Sequence, residues 1–254
     1  MNRSTKSWCA VLLGYTLVLE LMLVAAILYW PNFRDHLGAV KLLSKPLPVL
    51  GDIISKVESI GVAAYVVGQH FFKGCNVLGA AAAALIGAAA VAGEAQRGTL
   101  EIWLARPVTR LRLASERFLS GQSVIWLGTF LTTLTIPLLL SQVDESMRLD
   151  RLLLCATHQC LFLGAIFSVT FLISCASSEP TRISMAVLFF TIFEFGIYLV
   201  KTVTHWSIYR LADIEVYHKV LVSGALDWSI AGPLLGVNVL GFWGGYVLLQ
   251  RRCP

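Results

Sequence analysis

Apolar residues fall into six long runs, separated by short polar stretches: Trp8–Trp30, Gly74–Gly93, Phe118–Leu140, Leu152–Ala176, Ile183–Val200 and Ser229–Leu249. Each has about the 20 residues that a helix needs to cross the hydrocarbon core of a bilayer. A lipid-spanning segment must satisfy its backbone polar groups within itself, which a helix does and an isolated strand does not. The pattern therefore predicts an all-α membrane protein of six transmembrane helices, with one membrane domain over residues 1–254. Pro137 and Pro233 sit where they can kink the third and sixth spans. Gly79, Ala83 and Gly87 put small side chains on one face of the second span, which allows close helix packing.

The segments between spans are unequal. In Asn32–Phe72, the stretch Leu50–Ile60 places Ile53, Val57 and Ile60 on one helical stripe, with Pro46 and Pro48 breaking the chain before it. A helix lying in the membrane interface is the reading. Thr202–Trp228 mixes charges with Trp206, Tyr209, Tyr217 and Trp228, the composition of a headgroup-level segment. Lys and Arg are equally numerous on the two sides, but the side holding both termini and the segment after the second span is shorter and so denser in them. That density predicts cytoplasmic N- and C-termini.

Composition agrees. The chain is 57% hydrophobic and 14% charged, where a soluble domain carries about 25% charge. Its net charge of +5 belongs to span-flanking residues. Nucleic-acid binding is excluded as a reading, because no basic segment interleaved with aromatics exists to carry it. The six cysteines (Cys9, Cys75, Cys155, Cys160, Cys175 and Cys253) lie in or beside apolar runs, as buried free thiols do, and not at the spacing of a disulfide framework. The first apolar run exceeds the 7–15 residues of a signal-peptide core, roughly speaking, and no small-residue cleavage site follows it.

The most polar inner feature is the insert between the second and third spans, Gly93-Glu-Ala-Gln-Arg-Gly-Thr-Leu-Glu-Ile-Trp-Leu-Ala-Arg-Pro-Val-Thr-Arg110. Glu94–Ala105 is rich in helix formers, weakened by Gly98. Arg97 and Glu101 are four apart and can pair. Pro107 stops this helix, and Thr109 can cap the next. The residues alone fit either an arginine-tethered turn or a handle for a partner.

The string Glu94-x-x-Arg97-Gly98-Thr99-Leu100-Glu101, then Leu104-Ala105-x-Pro107-Val108-Thr109-Arg110, resembles the segment after the second span in permease subunits of type 2 ATP-binding-cassette exporters. The six-span layout and the closing Arg251-Arg252 are similar to that family too; Trp103, Arg106 and the final Cys253-Pro254 depart from it. The resemblance implies a coupling helix docked on a separate ATPase subunit. Glu94, Arg97, Gly98, Thr99, Leu100 and Glu101 would form the contact, and Pro107 and Arg110 would fix the corner. It also implies a second permease copy (a homodimer or a sister permease), surrounding membrane lipid, and the cytoplasmic membrane of a prokaryote. This chain would hold no cofactor: it has no Gly-x-x-x-x-Gly-Lys-Ser/Thr loop, so ATP and Mg would sit in the partner.

Glu20 and Glu194 are acids within spans, where a charge costs about 2.5–3.5 kcal/mol on insertion scales. They are read either as transport-path groups or as acids hydrogen-bonded to neighbouring helices. His158 is read as a helix-to-helix hydrogen-bond group. Ser177–Arg182 makes a second inner corner, with Pro180 entering the fifth span. Three functions compete: an ATPase-coupled permease, an ATPase-coupled assembly or maturation component acting on an extracytoplasmic partner, and an intramembrane hydrolase built on Ser123 with His158 or His205.

Overall fold

The computed structural model describes residues 3–44 and 48–252; Pro46, Cys253 and Pro254 lie outside them. Those residues form α1 (Arg3–Asp35), α2 (Leu37–Ser44), α3 (Pro48–Ile60), α4 (Val62–Gln96), α5 (Leu100–Leu104), α6 (Arg110–Leu140), α7 (Leu149–Ala176), α8 (Pro180–Leu199), α9 (Ile214–Ser223) and α10 (Trp228–Gln250). Among the described residues there is no strand. Six helices, α1, α4, α6, α7, α8 and α10, are long and apolar enough to cross a membrane, as the pattern predicted.

All six spanning helices are longer than their apolar runs, and in α4 and α6 the extension has a visible cause. α6 begins at Arg110, because the Thr109 hydroxyl caps it by accepting from the Arg112 N–H at 3.2 Å. α4 begins at Val62, just after Gly61 adopts a left-handed backbone (φ 80°) and ends α3. Within α4, Val67–Gly79 is wound as a π-helix, a rare form that often accompanies function. Its polar His70 and Asn76 are buried, which explains why this half of the span does not read as a clean apolar run. α6 and α10 run unbroken through Pro137 and Pro233.

α7 is the axis of the bundle, packing against α4, α6 and α10. Small residues bring those helices in. A Cβ on Gly241 would lie 2.7 Å from Ser168 Cβ and 2.8 Å from the Ser168 carbonyl oxygen. On α4, a Cβ on Gly87 would lie 2.8 Å from Thr170 Cβ, and one on Gly79 would overlap Leu163. The small-residue face of the second span thus packs within the chain. Four of the five described cysteines are buried and all five are free.

The start of α1, the end of α10, the insert and the Ser177–Glu179 corner lie at one end of the bundle, called here the insert face. α2, α3, α9 and two 3₁₀ turns (Thr204–Trp206 and Ile208–Ala212) form a cap at the other. The predicted stripe of α3 is real: Val57 is buried and Ile60 packs with it on Trp30, Ala64 and Tyr65, while Ile53 joins the main core. The cap is tied down by buried hydrogen bonds. Asn76 Nδ2 donates to the Ala212 carbonyl (3.1 Å), Gln159 Nε2 donates to Asn76 Oδ1 (2.8 Å), and the Tyr217 hydroxyl donates to Gln159 Oε1. His158 Nε2 donates to the Leu211 carbonyl at 2.7 Å, so its partner is the cap backbone and not a spanning helix.

Candidate functional site

The insert is shorter and tighter than its helix-forming residues predict. Gly98 takes a left-handed backbone (φ 65°), which ends α4 after Gln96. The Gly98 N–H donates to the Ala95 carbonyl at 3.0 Å, and both the N–H and the hydroxyl of Thr99 donate to the Glu94 carbonyl, at 3.0 and 3.2 Å. Those bonds close the end of the span. The continuous helix predicted over Glu94–Ala105 is therefore two pieces, and α5 is little more than a single turn.

α5 is wedged against the bundle by its apolar side. Leu100 is buried in the main core, and Trp103 and Leu104 pack on it. Its other side and the turns flanking it are open: Arg97, Gly98, Glu101, Ile102, Arg106 and Pro107 are all exposed. Of the residues predicted for a contact, Arg97, Gly98, Glu101 and Pro107 face outward, Glu94, Thr99 and Arg110 are half-buried, and Leu100 serves as the anchor.

The predicted Arg97–Glu101 pair is replaced by another. Among the described residues, the ion pair of the insert joins Glu94 Oε1 on α4 to Arg117 Nη2 on α6 at 2.6 Å. The Arg117 guanidinium also stands 5.3 Å from the centre of the Trp103 ring, and Arg106 stands 4.3 Å from it on the exposed side. Trp103 thus links the one-turn helix to an arginine that already bridges both flanking spans. Sequence reading missed Arg117; the one available signal was an arginine just before the Phe118 run, well past the turn. Glu94 Oε2, Arg117 Nε and Arg110 Nη1 are buried and have no hydrogen-bond partner among the described residues.

The second corner on this face is also fixed. Pro180 occupies the first turn of α8, and Arg182 pairs with Glu179 at 2.6 Å. Arg252 donates from Nε to the Cys175 carbonyl at 2.9 Å and from Nη2 to the Ser177 carbonyl, so the chain just past α10 locks the end of α7.

The intramembrane acids stand apart, each with its own partner. Glu20 accepts from the Thr135 hydroxyl at 3.0 Å, joining α1 to α6. Glu194 is buried near the cap end of α8, where Oε2 accepts from the Ile208 N–H at 2.9 Å and so caps a 3₁₀ turn. Ser123 donates to the Leu119 carbonyl of its own helix, and His205 lies exposed in the cap beside Trp206. Neither bonds to the other or to His158.

Six membrane-length helices joined by a tied, charged corner define a multi-pass membrane protein with a polar surface on one face. The chain belongs to the ABC-2 transporters: the family profile described as "ABC-2 family transporter protein" matches residues 41–208, from α2 through the insert to the first residues after α8. It is a membrane permease component and, as such, a transport subunit. No curated protein and no solved structure matches the chain.

Proposed function

We propose that this chain forms the translocation path of an ATP-driven exporter and is moved by a separate ATPase subunit docked on α5. The insert, both termini and the Ser177–Glu179 corner face the cytoplasm of a prokaryotic cell. ATP and Mg belong to the partner, and a second permease copy, identical or sister, completes the path within membrane lipid. Arg97, Glu101 and Pro107 meet the ATPase; Glu94, Leu100 and Arg110 hold the surface they stand on.

The observation that carries this reading is the mounting of α5. That helix and its flanking turns present Arg97, Glu101, Ile102 and Arg106 outward, while its inward side is locked through Trp103 and Arg117 to the two spans that flank it. Arginine and glutamate on a rigid turn suit forked, charge-assisted bonds to a moving protein. An ordinary surface turn needs no strut to both neighbours.

The test is co-purification from native membranes. The wild-type chain brings down a nucleotide-hydrolysing polypeptide, and the R97E/E101R double reversal loses it while the permease still elutes as a folded species. A wild-type chain that purifies without such a companion, or a reversal that keeps it, contradicts the proposal.

The cap supports a second reading, an ATPase-coupled assembly or maturation component. It holds a polar cavity of about 590 Å³ between α3, α9 and the 3₁₀ turns, lined by Asp52, Lys56, Lys201, His205, Arg210 and Glu215. That is the surface an extracytoplasmic partner would meet.

A further inference from the structure

A groove of about 480 Å³ lies between α1, α3, the π-wound start of α4 and the end of α8. That size falls within the roughly 300–1,000 Å³ of small-molecule sites. Its walls are apolar, with Phe33, Phe72 and Phe195 among them, and it opens sideways past Val77 and Leu199, which are 46% and 36% exposed. The Tyr65 hydroxyl on its wall is spent on the Ala26 carbonyl at 2.9 Å. That leaves two polar side chains in the lining, Gln69 and Lys73. Four residues make nearly one turn of a π-helix, so Gln69, Lys73 and Val77 follow one another along one side of α4.

Lys73 is exposed and has neither a carboxylate nor a hydrogen-bond partner among the described residues. Its fellow lysines differ: Lys41, Lys56, Lys201 and Lys219 each reach a carboxylate, at 2.5, 2.7, 3.1 and 2.5 Å. Gln69 is half-buried, and its amide, which is not closed off, bonds to no described residue. No Asp or Glu among the described residues lines the groove. The chain itself sets the level of Lys73. It precedes the apolar run Gly74–Gly93, which ends beside Glu94 at the insert face and whose length matches the roughly 30 Å hydrocarbon core. Lys73 thus stands at headgroup level on the cap side, and Met22, Val77 and Leu78 carry the groove below it into the hydrocarbon.

We infer that this groove holds an acyl chain of an anionic phospholipid from the leaflet on the cap side, with the headgroup phosphate accepting from Lys73 Nζ. A lysine at this depth keeps its stem on apolar surface and its ammonium among headgroups. The Gln69 amide, with both donors and an acceptor, meets the phosphate and ester oxygens beside it. An anionic headgroup brings the charge that the groove lacks. A zwitterionic one would also bring an ammonium, for which the lining has no carboxylate. The site does not depend on what docks on the insert face.

The test uses phosphatidylglycerol and phosphatidylcholine carrying the same diazirine-bearing acyl chain, photo-crosslinked to the full chain in nanodiscs and mapped by mass spectrometry. Phosphatidylglycerol labels the groove residues of α1 and α8 about five-fold more than phosphatidylcholine, the factor expected of one lysine against anionic lipid. K73Q brings the two lipids level, K73R keeps most of the preference, and K201Q, which removes a lysine already paired with Asp52, leaves it unchanged. The wild-type comparison stands without any variant. Equal labelling by the two lipids would overturn the inference, as would a preference that survives K73Q or one that K201Q reduces as far. Displacement of the phosphatidylglycerol probe by inorganic phosphate would overturn it in favour of a free anion. Absence of both lipids from the groove would overturn it in favour of a protein segment or a second copy of the chain.

Discussion

Glu94 and Arg117 belong to different spans and stand on opposite sides of the insert, yet their side chains meet at 2.6 Å with each only 13% exposed. A pair so placed joins the last turn of α4 to the second turn of α6 and leaves α5 no slack between them. Removing one partner strands the other in a half-buried site. E94Q or R117M is therefore expected to cost about 2 kcal/mol, between a surface pair and a fully buried one. The reversed pair E94R/R117E recovers part of it. Thermal unfolding of the four proteins in detergent gives the coupling directly, and strictly additive losses would refute the strut.

Trp103 receives Arg106 from the exposed side and Arg117 from the bundle. Each cation–π contact is worth about 0.5–1 kcal/mol at such sites, and the ring also packs on the core. In W103A the one-turn helix loosens while the spans remain. Amide exchange is predicted to rise at least ten-fold over residues 97–106 and to stay unchanged in α7. Unchanged protection over the insert would mean that Leu100 alone holds it.

Gly98 ends α4 with φ 65°. An L-residue there costs about 1–2 kcal/mol, least for Asn. G98V should weaken recovery of the ATPase companion, and G98N should retain most of it. Equal recovery with valine and asparagine would show that this backbone conformation is dispensable.

The spans were legible because six apolar runs of sufficient length leave a bilayer helix no competitor. Their ends were less so. The second span starts at Val62 although Gln69, His70 and Lys73 interrupt its hydrophobicity; burial of His70 beside the Thr132 and Thr133 hydroxyls, at 3.4 and 3.3 Å, offsets its polarity, and no local pattern announces such a contact. The Thr109 cap was legible because capping is local. The partner of Glu94 was not, because Arg117 reaches it only after the chain has turned at Pro107 and re-entered the bundle. Local spacing pointed to Arg97 with Glu101, and the left-handed turn at Gly98 removes the continuous helix on which that pair depended.

Acid should release the cap before the bundle. Lys219 and Ser229 hydrogen-bond Asp227 and hold its carboxyl down at about 2, and the Lys56 ammonium holds Glu215 below the usual carboxylate range. A carboxylate with a lowered value stabilises the fold above its ordinary value, and that contribution is lost as pH falls through the lowered one. Protection of α9 is thus predicted to hold down to about pH 4 and to fade toward pH 2. K219M moves the Asp227 titration up toward the ordinary value. NMR of labelled aspartate reads both; an ordinary Asp227 value in the wild-type chain would contradict the pairing.

Ile102 is exposed at the centre of the outward side of α5. A photo-crosslinking amino acid at that single position, activated in intact cells, addresses the coupling most directly. The predicted product is a covalent adduct with a cytoplasmic nucleotide-hydrolysing subunit. Adducts with extracytoplasmic proteins alone, or none with any ATPase, would contradict the account.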